Sequence, residues 1–225
     1  MSFAKSVVQF IHELDFPVAL PEGIEVMHPF KDESTMKVCE AFYNKFYSDI
    51  NKRWMVIGIN PGRFGGGVTG IPFTDPIRLK ELCGIENDWP QKQELSSLFI
   101  YEMIEAYGGP ASFYNKFYIT AVSPLGFTRD NKNLNYYDDR QLQENLRPFI
   151  LDCFSRQFTF GIHRSVAFCL GDGKNFQYLS VLNKTEKLFD TIVPLPHPRF
   201  IMQYRLKQKS SFIERYLSAF QAVLQ

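Results

Sequence analysis

Apolar positions along this chain follow two periods, and the switches between them predict its elements. At helical spacing, Val7, Phe10, Ile11 and Leu14 mark one face of a helix over 3–14, and Met36, Cys39, Phe42, Tyr43 and Phe46 mark another over 33–47. Residues 54–59 break that period, because Met55, Val56 and Ile57 form a continuous apolar run of the kind a strand buried on both faces requires. Three more strands are predicted at 117–122, 165–170 and 189–195, with helices over 95–107, 139–158, from about 175, and over 210–223. Asp75 stands where it can cap a short helix opened by Pro76, whose missing N–H costs nothing in a first turn. Gly108 and Gly109 stop the helix over 95–107. Four apolar strands alternating with helices predict an α/β fold, three layers deep (α/β/α), around a four-stranded parallel sheet. The polar stretch 128–137 follows neither period and reads as a loop. No repeat, low-complexity tract or linker divides the chain, so one domain is expected over residues 1–225.

The first strand gives way to an unusual loop. Asn60 and Pro61 lead into glycines at 62, 65, 66, 67 and 70, and Phe73 closes the stretch. In an open α/β sheet the carboxyl end of a strand is where ligands bind, and glycines let the backbone approach a ligand closely. Asn60 therefore offers a polar group at one end of a pocket, and Phe73 a stacking surface at the other. Gly65, Gly67 and Gly70 match the G-x-G-x-x-G spacing, but Pro72 and Phe73 stand where a helix should open beneath a pyrophosphate. No Gly-Lys-Ser/Thr follows, which excludes a P-loop. The aromatic residues Phe64 and Phe73 argue against disorder.

Composition narrows the class. With 45% hydrophobic and 22% charged residues the chain can bury one sizeable core, and a net charge of +1 excludes a uniformly basic nucleic-acid binder while leaving room for a local basic patch. Cys39, Cys83, Cys153 and Cys169 show no paired spacing, which fits buried thiols in a reducing compartment and not disulfides, zinc or an iron-sulfur cluster. No signal-like opening and no run of 18 apolar residues is present, so a soluble, cytoplasmic protein with no membrane partner is expected.

Asn60 to Phe73, reading N-P-G-R-F-G-G-G-V-T-G-I-P-F, resembles the first motif of the single-strand-selective monofunctional branch of the uracil-DNA glycosylase superfamily, without a gap. Tyr118 to Leu125 (Y-I-T-A-V-S-P-L) looks like that family's second strand, and Leu195 to Arg199 (L-P-H-P-R) like its closing His-Pro motif. The likeness runs from Trp54 to the C-terminus and leaves the first fifty residues outside the motifs. It implies a uracil-DNA glycosylase-like fold and a monomeric enzyme that hydrolyses the bond joining a deaminated base to DNA, with neither metal nor organic cofactor. Its one macromolecular partner would be DNA. By that resemblance Asn60 positions the water that attacks C1′, and His197 donates a hydrogen bond to the base oxygen that becomes anionic. Phe73 stacks on the flipped base, and the main chain of Gly62 and Phe64 lines the narrow end of the pocket. No lysine falls at a matched catalytic position, so no Schiff-base lyase step is implied.

Two departures from the family pattern bear on function. Where the family carries an asparagine that reads the base edge, this chain has Ala121, which leaves Ser123, Thr120 or the backbone to do so. The closing motif is two residues shorter than the family's His-Pro-Ser-Pro-Arg. His197 aligns with the family histidine across a deletion, or with its serine while Leu195 takes the histidine's place; only the first alignment leaves a donor in the site. After it, Arg199, Phe200, Ile201, Met202, Arg205 and Lys207 mix cations with large apolar side chains. Phosphate clamps beside an apolar wedge have this composition, and so does a solvated basic helix start. Two other readings stay open: a glycosylase-fold protein that binds DNA with little or no catalysis, and a hydrolase of small nucleosides, for which a wedge would be superfluous.

Overall fold

The computed structural model describes residues 1–224. In chain order the elements are α1 (Phe3–His12), β1 (Ile24–Met27), α2 (Glu33–Phe46), β2 (Arg53–Gly58), α3 (Gly66–Thr69), α4 (Pro76–Glu81), α5 (Leu95–Tyr107), α6 (Gly109–Tyr114), β3 (Phe117–Ala121), β4 (Gly126–Arg129), β5 (Lys132–Leu134), α7 (Arg140–Phe158), β6 (Ile162–Leu170), α8 (Lys174–Glu186), β7 (Thr191–Leu195), α9 (Pro198–Tyr204) and α10 (Lys209–Gln221). The four apolar runs form a parallel sheet in the order β3-β2-β6-β7, with helices on both faces. The caps anticipated in the sequence form: Asp75 accepts the Arg78 N–H at 2.9 Å, and Gly108 ends α5 in a left-handed conformation.

That strand order decides where a ligand can sit. From β2 the chain crosses to β3 on one side, then returns past β2 to β6 and β7 on the other. The crossovers diverge between β2 and β6 and open a crevice beyond their carboxyl ends. Asn60, Gly171 and His197, which follow β2, β6 and β7, all emerge there.

The reading of 128–137 as loop is corrected. Gly126–Arg129 and Lys132–Leu134 form an antiparallel hairpin, and β1 pairs with β4 to make a separate three-stranded sheet. Its strands are three or four residues long, and β5 is largely solvated, so no apolar period marks them. The hairpin tip is turned by Asp130 and Asn131, both at positive φ, a conformation asparagine and aspartate tolerate better than most residues.

The amino-terminal helices share the core with the rest of the chain. Phe3, Val7 and Phe10 of α1 are buried in the same apolar cluster as the central sheet. At the start of β2 the fully buried Arg53 guanidinium lies 4.6 Å from the Phe3 ring and 4.8 Å from the Tyr47 ring. It donates twice to Asp49, at 2.9 Å each, and to the carbonyls of Tyr114 and Asn51. Every polar edge of the guanidinium that is bonded in this way offsets the cost of burying it, and the network anchors the end of β2 opposite the crevice. The four cysteines are buried free thiols, as the sequence suggested.

Candidate active site

Beyond the carboxyl ends of β2, β3 and β7 lies a cleft lined among others by Asn60, Gly62, Phe73, Glu94, Ala121, Asn133, Asn135, His197 and Arg199. Phe73 owes its place to two backbone features. Its own φ is 54°, a left-handed conformation that costs a bulky residue free energy and survives only where the surroundings enforce it. Its ring also lies over Gly58, where a Cβ would approach ring carbon Cε2 to 2.7 Å. A side chain at position 58 would push the ring out of the cleft. Gly58 pairs in register with Ala121 on β3, so the floor beside the ring is apolar and flat.

Asn60 is held at both ends of its amide. Nδ2 donates to the Leu134 carbonyl at 3.2 Å, and Oδ1 accepts the Tyr136 N–H at 3.0 Å. The Tyr136 hydroxyl donates in turn to Oδ1 of Asn175 at 2.8 Å, and the buried Asn175 amide donates to the carbonyl of Leu170 at 3.0 Å. This chain of bonds ties the ends of β2 and β6 to the segment that follows β5. Oδ1 keeps a second lone pair for a further donor.

His197 caps α9. Its Nδ1 accepts the Arg199 N–H at 3.1 Å, which puts the ring proton on Nε2. Burial, with the Arg199 charge acting in the same direction, pushes its pKa down to about 4. At neutral pH the cleft therefore contains a neutral imidazole donor. The Tyr216 hydroxyl donates to the Pro196 carbonyl and braces the turn. The Phe73 and His197 rings lie 5.9 Å apart at 49°.

Several residues expected in the site are elsewhere. Ser123 is fully buried and donates to the Leu125 carbonyl at 2.8 Å, while the Thr120 hydroxyl donates to Gln157 at 2.7 Å, so neither can read a base. Phe64 does not line the cleft; its exposed ring lies between Arg63 and Lys92, at 4.8 and 5.1 Å, and Pro61 and Gly66 line the narrow end with Gly62. Ile201 and Met202 are corrected as DNA contacts. The segment after His197 is a helix, and its period turns Pro198, Ile201 and Met202 into the core. Phe200, Tyr204 and Leu206 face solvent instead, 42%, 63% and 56% exposed, beside Arg199, Arg205 and Lys207.

The sequence pattern of the uracil DNA glycosylase superfamily matches residues 45–221, most of the chain. The chain belongs to that superfamily. The crystal structure of wild-type SMUG2 from Pedobacter heparinus matches with a TM-score of 0.96 at 48% identity, covering 99% of this chain and 98% of that one. The likeness thus includes the first fifty residues that the motifs left out. No curated protein matches the chain. As a member of the glycosylase superfamily it is a hydrolase of N-glycosidic bonds in DNA. No helix among the described residues is long and apolar enough to cross a membrane.

Glu94, like Asn133 and Asn135, is a residue of this glycosylase cleft that sequence reasoning missed. It stands at the N-cap of α5 but makes no capping bond with its side chain. Its N–H is taken by Asp75 Oδ2 at 2.9 Å, the same carboxylate whose other oxygen caps α4. Burial and the Asp75 charge, against the opposing pull of Arg199, push its carboxyl up to about 7. One signal was available: glutamate is a poor N-cap, where Ser, Thr, Asp and Asn lead.

Proposed function

We propose that this chain is a monofunctional DNA glycosylase that removes uracil or another deaminated base from DNA in base excision repair, working as one domain and a monomer. The observation that carries the reading is the convergence of Asn60, Phe73 and His197 on one cleft at the switch point of the sheet. Heterolysis of the glycosidic bond sends the electron pair to the base and leaves positive charge on the sugar. The neutral His197 Nε2–H donates to the base oxygen where the negative charge develops, and a donor fixed before the reaction spends nothing on reorganisation. An amide takes no proton at neutral pH, so Asn60 acts by orienting water through the free lone pair of Oδ1; the water adds to C1′ and releases its proton. Phe73 stacks on the base, an interaction worth roughly 1–3 kcal/mol.

The base must leave the helix to arrive there, at a cost of a few kcal/mol. A groove shares Ile59, Asn135, His197 and Arg199 with the cleft and continues past Phe200 and Tyr204. It supports a path for the strand, with Phe200, Tyr204 and Leu206 as the apolar edge and Arg199, Arg205 and Lys207 as phosphate contacts. The test is single-turnover release of uracil from an oligonucleotide. Tight binding with no release would replace the enzyme by a DNA-binding protein of the same fold, the reading that Ala121 favours.

A further inference from the structure

The vacancy above Gly62 is bounded by polar groups with no partner. A Cβ at position 62 would lie 3.2 Å from Glu94 Oε1 and 3.3 Å from Asn133 Nδ2, so a carboxyl and an amide donor converge on the space a side chain would fill. At Gly65 a Cβ would meet Glu94 Oε2 at 1.9 Å. The glycine loop is shaped around this carboxyl. Asn133 accepts the Arg63 N–H through Oδ1 at 3.1 Å, which leaves its NH2 group toward Gly62. Among the described residues no donor is bonded to the Glu94 carboxyl, although Asp75 holds its backbone in place. Both residues line the cleft that contains Asn60, Phe73 and His197.

Solvent reaches both groups in the free protein, Asn133 being exposed and Glu94 partly so, and a base that covers them desolvates them at a cost unless it pairs them. Strand β3 presents only the methyl group of Ala121 to the same cleft. Resting on the glycosylase reading above, we propose that Glu94 and Asn133 are the specificity-determining contacts of this enzyme, reading the lactam edge of a deaminated base across Gly62. Deamination turns an amino-substituted ring edge into a carbonyl beside a ring N–H. Asn133 donates to that carbonyl, and Glu94 accepts from the N–H. Uracil and the 6-oxopurines share this edge; cytosine and adenine present an amino donor beside a bare ring nitrogen, the opposite order. The Glu94 carboxyl, held near neutrality, keeps an acceptor oxygen in either protonation state.

The test compares single-turnover excision of uracil and of 3-methyluracil, whose N3 carries no hydrogen, from the same oligonucleotide. Wild-type protein should prefer uracil by roughly 10-fold or more, the cost of leaving the Glu94 acceptor covered and without its partner. Glu94→Ala should lose most of that preference by slowing uracil alone, while Glu94→Gln, which keeps an acceptor, should retain it. Asn133→Ala should slow both substrates, since both keep the carbonyl. A uracil-to-3-methyluracil ratio unchanged in a folded Glu94→Ala variant overturns the proposal and leaves the glycosylase reading standing. A wild-type protein that releases neither base overturns both.

Discussion

Replacing Glu94 with glutamine removes an acid that the fold holds at a disadvantage when ionised, and the size of that disadvantage can be worked out. The carboxyl moves from 4.5 in the unfolded chain to about 7 in the folded one, through burial and the neighbouring Asp75. At about 1.4 kcal/mol per pH unit, the separation corresponds to about 3 kcal/mol, an upper value because the side chain keeps some contact with solvent. The unfolded state releases its proton first, so Glu94 costs nothing below its unfolded pKa. Between that point and the folded pKa, rising pH progressively favours unfolding. Glu94→Gln should therefore match wild type near pH 4.5 and be the more stable protein at pH 8 by 2–3 kcal/mol, which for a chain of this size is roughly 4–12 °C in Tm. Melting both proteins across that range, with denaturant titrations at each end, measures the divergence. Two curves that stay parallel from pH 4.5 to 8 would show that the carboxyl is not held near neutrality, and the electrostatic account of the cleft would be refuted.

Three other outcomes are expected. His197→Ala should lower the single-turnover rate by roughly 100-fold, as loss of a transition-state donor does, and the rate of Glu94→Gln, which lacks the carboxyl held at about 7, should show no histidine inflection between pH 5 and 8, because the imidazole is already neutral above about 4; a clear step near 6.5 in that variant would contradict this. Ala121→Asn should raise uracil excision by about 1–3 kcal/mol in transition-state terms if the new amide reaches the base, provided that a melting curve shows the 6%-exposed site accepts the larger side chain. Truncating Phe200 or Tyr204 to Ala should slow excision from duplex more than from single strands, whereas Arg205→Ala and Lys207→Ala should weaken binding to both and reduce the salt slope by about one each; equal effects of all four on both substrates would remove the wedge.

What the sequence disclosed depended on how strongly each element was patterned. In the parallel sheet β2 and β3 are buried, as is the carboxyl half of β6, and the edge strand β7 is apolar though only partly covered, so each left a legible apolar run, and Asn60 and His197 could be placed at strand ends from those runs alone. The small antiparallel sheet was illegible because its strands are short and partly solvated, and with it went Asn133 and Asn135, which line the cleft from that side. Ile201 and Met202 were misjudged because composition was given more weight than period: seven residues from Pro198 form a helix, and spacing of three and four turns them inward. Asn175 resembled an ordinary helix start, yet it is 1% exposed and bonds to two strand ends. A fully buried polar residue is identified by its partners, and a partner more than a hundred residues away, as Gly58 is, leaves no local trace.

The pair of hydrogen bonds between the Asn60 amide and the Leu134–Tyr136 segment has a consequence for how the protein fails on heating. Those bonds span more than seventy residues and join β2, in the central sheet, to the end of a short hairpin whose outer strand, β5, is largely solvated. Elements of that kind open at lower free energy than a core sheet does. Each such opening frees the Asn60 side chain and removes Asn133 and Asn135 from the wall of the cleft, while the parallel sheet stays closed. Thermal inactivation should then precede the loss of helical signal, and the amides of Tyr136 and of the 126–134 hairpin should exchange with solvent ahead of those in β2.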